Sequence, residues 1–135
     1  MNETLWLDSH WNELINDLKA WIAIPSVSRE TDDPAAPFGE PCARMLAEAL
    51  ATGARMGFAA RNHEGYCGTL LWKGRTDEEI GIFAHLDVVP EGTGWQYKPY
   101  RAAVLEDKVV GRGACDDKGP ALAALYALRC LREQG

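Results

Sequence analysis

Residues 80–84, Ile-Gly-Ile-Phe-Ala, form an unbroken apolar run that ends at His85, with Asp87 two positions further on. A strand with one wet face alternates polar and apolar residues. A short continuous run bounded by polar residues predicts instead a strand covered on both faces. Such a strand needs a layer above it and a layer below, so the run points to helices packed on a sheet.

The flanking sequence supplies those helices. Leu7, Trp11, Leu14, Ile15, Leu18, Trp21 and Ile22 recur at three- and four-residue spacing, so residues 4–23 predict an amphipathic helix, closed by Pro25. The acidic, proline-bearing stretch 29–41 predicts an irregular loop. A second helix is expected over about 40–56, with Pro41 in its first turn and Gly57 at its end. Beyond Gly57 the period shortens. Residues 58–64, 66–72 and 79–86 predict strands, and 101–112 a hairpin turning near Glu106, Asp107 and Lys108. A last helix is expected over about 119–134, with Leu122, Leu125, Leu128 and Leu131 on its buried side. Helices, then strands, then a helix imply an α/β sandwich layer.

With 135 residues, of which 47% are hydrophobic, the chain has material for one domain with a real core. A net charge of -6 argues against nucleic acid, whose phosphates need clustered Lys and Arg. No stretch nears the ~20 apolar residues that span a membrane, and the first residues lack the charge and apolar core of a secretion signal. Cys42, Cys67, Cys115 and Cys130 form no C-x-x-C pair and are expected as reduced thiols in the cytoplasm. His10 and His63 lie among polar neighbours and are expected at the surface.

Two short stretches carry the chemistry. Side chains at i and i+2 of a strand share a face, so His85 and Asp87 are expected side by side at a strand's C-terminal end. Open α/β sheets bind ligands at that end. A metal-bound histidine gives its second ring N–H to a carboxylate, and Asp87 suits that part. The plainer reading is a strand-end histidine satisfied by a nearby acid. The second stretch sets Asp116 and Asp117 between Gly113 and Gly119, where a helix is about to start. Adjacent carboxylates repel, so burying them calls for a counter-charge. A divalent cation can supply it, and one carboxylate can bridge two ions ~3.5–4 Å apart. Capping and the helix dipole account for one acid. They do not account for the glycines, the acid pair and Lys118 together.

These stretches, "HLDVVPEGTGW" at 85–95 and "GRGACDDKGP" at 111–120, resemble the two N-terminal signatures of metallopeptidase family 20. "IPSVS" at 24–28 is similar to a further family element. "PFGEP" at 37–41 and "DDKGPALAALYAL" at 116–128 point within that family to dinuclear-metal dipeptidases of the PepV and Sapep type. The similarity runs from about Trp6 onward. It implies an α/β/α sandwich, a zinc-peptidase-like (phosphorylase/hydrolase-like) catalytic domain. It implies two divalent metal ions, zinc or else manganese or cobalt, and hydrolysis of small peptides. N-acyl amino acids, the substrates of the deacylase branch, are the alternative. In this likeness His85 binds one metal, Asp116 bridges both, and Asp87 serves catalysis by orienting His85. The Asp116–Asp117 peptide is expected to be cis.

The resemblance also calls for a Glu-Glu pair, one member the general base, and for a further acid and a late histidine. In the family pattern all of these lie beyond the region that this chain resembles. The expectation is therefore an incomplete domain: residues 1–135 as the N-terminal part of a catalytic domain, without its C-terminal half or the lid and dimerisation domain. Such a chain is expected to have little or no peptidase activity alone, and to self-associate through uncovered sheet surface. A truncated, non-catalytic relative is the competing reading. A nucleotide-binding domain is disfavoured, because neither G-x-G-x-x-G nor a P-loop occurs.

Overall fold

The computed structural model describes residues 2–135. In chain order it contains α1 (Glu3–Ile22), α2 (Glu40–Arg55), β1 (Ala59–His63), β2 (Cys67–Leu71), β3 (Ala103–Val104), β4 (Val109–Val110) and α3 (Lys118–Gln134). The three helices lie where their periodicity put them. Asn2 caps α1 by accepting a hydrogen bond from the Thr4 N–H, and α2 starts with Pro41 in its first turn. Gly57, just past α2, takes a positive φ of 85°.

The buried faces differ in detail from expectation. α1 buries Trp6, Leu18, Trp21 and Ile22, while Leu7 and Trp11 stay exposed. α3 meets α1 around Trp6, and α2 meets it around Trp21, whose indole N–H donates to Thr52. Neither covers Trp11. On α3, Leu122 and Leu125 are buried with Tyr126 and Cys130, but Leu131 is exposed. Nine residues at ~100° each carry Leu131 to the far side of the helix from Leu122. His10 is not free at the surface either: its ring stacks on Trp6 at 3.9 Å.

β1 and β2 form an antiparallel hairpin, Ala59 opposite Leu71 and His63 opposite Cys67. Glu64 and Gly65 turn it with φ of 54° and 78°, the two positive values that a tight hairpin turn of this hand requires. The hairpin lies on α2, where Leu46 and Leu50 fill the space above Gly68 and Leu70 fills the space above Gly53. β3 and β4 pair as a second short hairpin.

One expectation is overturned. Residues 80–86 are not a covered strand. Ile80 and Phe83 are 95% and 97% exposed, and the segment pairs with nothing until an isolated parallel bridge joins Val27 to Val88. The cause is a lack of neighbours: β1–β2 and β3–β4 each close on themselves, so two separate two-stranded sheets replace one central sheet. The mixture of helix and short sheet is that of an incomplete α/β domain, with its core between α1, α2 and α3. Among the described residues no helix is long and apolar enough to cross a membrane.

Candidate metal centre

The candidate site forms where residues 85–88 meet the turn before α3. Residues 24–28 run beside the first of these. The Val88 N–H donates to the Ser26 carbonyl at 2.9 Å, and the Ser26 hydroxyl donates to the Leu86 carbonyl at 2.7 Å. Ser28 donates to Asp87 Oδ2 at 3.0 Å. On the other side, Gly113 adopts a φ of 88° and leaves room for Val88 and Lys118, each 3.0 Å from where a Cβ would stand. The Asp116–Asp117 peptide is cis, as the resemblance implies.

His85 joins the two arms. Its Nε2 lies 2.9 Å from Asp116 Oδ1, and its Nδ1 lies 3.1 Å from the Asp87 carbonyl and 3.2 Å from Asp87 Oδ1. Its backbone N–H donates to Asp117 Oδ2 at 3.2 Å. The three expected residues thus share one corner, and the two adjacent aspartates divide their work between the ring and the backbone of the same histidine. Both partners of Nδ1 are acceptors, so Nδ1 carries a hydrogen. Nε2 then points at a carboxylate with either a second proton or a bare lone pair. Burial pulls the His85 imidazole down, but the hydrogen bond to Asp116, that to the Asp87 backbone and the charges of both carboxylates outweigh it and hold its pKa above the ordinary value. A divalent cation between Nε2 and Asp116 would replace that proton, so this donor pair fits part of a coordination shell. It does not fill one: among the described residues no group of three or more His, Cys, Asp and Glu is gathered to hold an ion.

The parts played by three supporting residues were not read from the sequence. Lys118 is fully buried, and its Nζ donates to the Trp21 and Ile24 carbonyls at 2.8 and 2.7 Å. Burial draws its pKa down to about 8. Ser26 and Ser28 were visible only inside the family-like "IPSVS" element. Trp95 lies in the loop that follows Val88. Its indole N–H donates to the Glu91 carbonyl at 2.7 Å, and the Arg112 guanidinium lies 5.2 Å over its ring. Glu133 lies near the end of α3. It stands outside this corner but is engaged, accepting the Trp6 indole N–H at 2.6 Å.

Comparison with known proteins bears on this corner directly. The model of Peptidase family M20/M25/M40 matches residues 81–135, which contain both arms. A Bacillus subtilis (strain 168) protein, "Putative dipeptidase YtjP", is 40% identical over 122 residues, covering 90% of this chain and 26% of that protein. A Staphylococcus aureus (strain USA300) protein, "Putative dipeptidase SAUSA300_1697", is 36% identical over 125 residues with the same coverages. The chain therefore spans about a quarter of the length of the curated relatives it matches. The crystal structure of human carnosine dipeptidase 1 superposes with a TM-score of 0.76 at 30% identity, over 96% of this chain and 30% of that one. Motif region, sequence relatives and backbone agree in their likeness to peptidase family M20.

Proposed function

We propose that this chain is the N-terminal part of the catalytic domain of a metal-dependent dipeptidase, acting on small peptides in the cytoplasm. The observation that carries the reading is the 2.9 Å approach of His85 Nε2 to Asp116 Oδ1, with Asp87 behind the ring. Relatives named as dipeptidases, and a likeness to carnosine dipeptidase 1, support the substrate class.

In this reading His85 and Asp116 would hold the divalent metal, zinc, manganese or cobalt, with Asp116 serving both ions. When bound, such ions acidify water and polarise a scissile carbonyl. Asp87 keeps the proton on Nδ1 and thereby presents Nε2 as the ligand atom. Asp117 fixes the backbone from which the ring projects. In this reading the remaining ligands and the general base would come from outside these 135 residues.

The test is a chimera in which these residues replace the matching segment of the Bacillus subtilis relative, assayed on dipeptides and N-acyl amino acids. Dipeptide turnover dependent on added manganese or zinc is expected. His85→Ala or Asp116→Ala should reduce it to background, and Asp87→Ala should cost ~10–100-fold. Full activity in either ligand variant would overturn the assignment, and turnover of N-acyl amino acids alone would move it to the deacylases. The isolated chain should release little or no amino acid. Clear metal-dependent turnover by it would refute the need for residues from elsewhere.

A further inference from the structure

We infer that residues 21–28 form a bracket that sets the separation of His85 from Asp116, with Lys118 and Ser28 as its positioning residues. The functional meaning rests on the proposed metal site; the geometry stands without it.

The end of α1 leaves carbonyl groups without helical partners. Two carbonyls there, those of Trp21 and Ile24, receive the Lys118 ammonium at 2.8 and 2.7 Å. Lys118 follows Asp116 by two residues, so this clamp fixes the carboxylate arm. The same stretch grips the imidazole arm. Ser26 accepts from the Val88 N–H and donates to the Leu86 carbonyl, so it holds the backbone on both sides of Asp87. Ser28 donates to Asp87 Oδ2, leaving Oδ1 for the His85 ring. Both arms are therefore pinned to the same eight residues, in addition to the direct contacts of His85 N–H with Asp117 and of Val88 with Gly113.

The chemistry of residue 118 is out of proportion to a packing role. An apolar side chain of similar length would fill the space without desolvating a charge, and such exchanges are often neutral or stabilising. The ammonium instead binds two specified carbonyls, which fixes register as well as volume. Gly113 keeps the path open, because a Cβ there would press on the Lys118 stem at 3.0 Å.

The experiment reads the metal-free chain by NMR. The wild type should give a cross-relaxation peak between the His85 ring and the Asp116 β protons. Lys118→Met should lose most of that intensity while peaks between Trp6 and Tyr126, in the α1–α3 seam, persist. Lys118→Arg should recover part of it. Ser28→Ala, at an exposed position, should fold normally and weaken the peak by releasing Asp87. A loosening of about 1 Å is the scale at which such sites fail, and the peak is steep enough in distance to register it. Wild-type intensity in both Lys118→Met and Ser28→Ala would overturn the bracket. If Lys118→Met does not fold, Ser28→Ala alone decides. A separate addition of Mn²⁺ should broaden signals of residues 85 and 116 first. Absence of that focus in the wild type would sink the metal reading, while the metal-free peaks would still judge the bracket.

Discussion

The seam between α1 and α3 and the ribbon at residues 80–86 are both rich in apolar side chains, yet one is closed and the other open. In the seam, Trp6 donates to Glu133, Tyr126 donates to Asp17 at 2.8 Å, and Arg129 bridges Glu13 and Glu133 at 2.9 Å while lying over the Trp6 and Tyr126 rings. Leu122 is 1% exposed beneath them. In the ribbon, Ile80 and Phe83 stand almost wholly in solvent. Hydrophobicity alone does not separate the two. A helix satisfies its backbone internally and needs a partner on one face only. A strand needs a hydrogen-bonding neighbour along at least one edge before its faces can be covered.

The contrast can be attacked from its strong side first. Leu122→Ala should cost ~2–5 kcal/mol, the range for a buried leucine whose site cannot collapse, read by denaturant unfolding. A loss below that range would mean the seam repacks. Next, Glu133→Gln should remove a smaller contribution, under ~1 kcal/mol after solvent screening. The hydrogen bond from Trp6, then that from Arg129, holds the Glu133 carboxyl below its ordinary value of 4.5. A depressed carboxylate adds stability that is present above the unfolded value and lost as pH falls through the folded one. The wild type should therefore outlast Glu133→Gln in thermal melts near neutrality, and the gap should close on acidification. A gap that persists at low pH would show that the charge is not its source. Smallest of all, Phe83→Ser should change unfolding free energy by no more than ~0.5 kcal/mol, as for an exposed site. It should reduce self-association in light scattering, because it removes apolar surface from a segment whose backbone has no strand partner. If Phe83→Ser destabilises the chain as Leu122→Ala does, the ribbon is packed in solution and the contrast disappears.

The helices and the β1–β2 hairpin were legible because their signals are local. Pro25, Pro41 and Gly57 mark helix limits, and the change of period after Gly57 marks the strands. The limits of legibility are equally specific. Leu131 extends a three-residue rhythm that an α-helix does not keep over nine positions. The ribbon reads as buried because its sequence suits a strand interior, but burial is decided by chain elsewhere. At the corner, motif and spacing brought forward His85, Asp87 and Asp116, and the distances among them came only with the fold. Lys118 was hidden for a different reason: a lysine in a polar, glycine-bordered turn is ordinarily solvated. Nothing within five residues of it announces carbonyls more than ninety positions away.

Lys19, Lys73, Lys98 and Lys108 are exposed, whereas Lys118 has no accessible surface. Amine-reactive reagents will therefore modify the first four on the native chain and reach the fifth only when the end of α1 parts from the turn before α3. The protection of a single amine thus works as a clock for local opening. It would time the breathing of that one corner while the rest of the molecule stays folded.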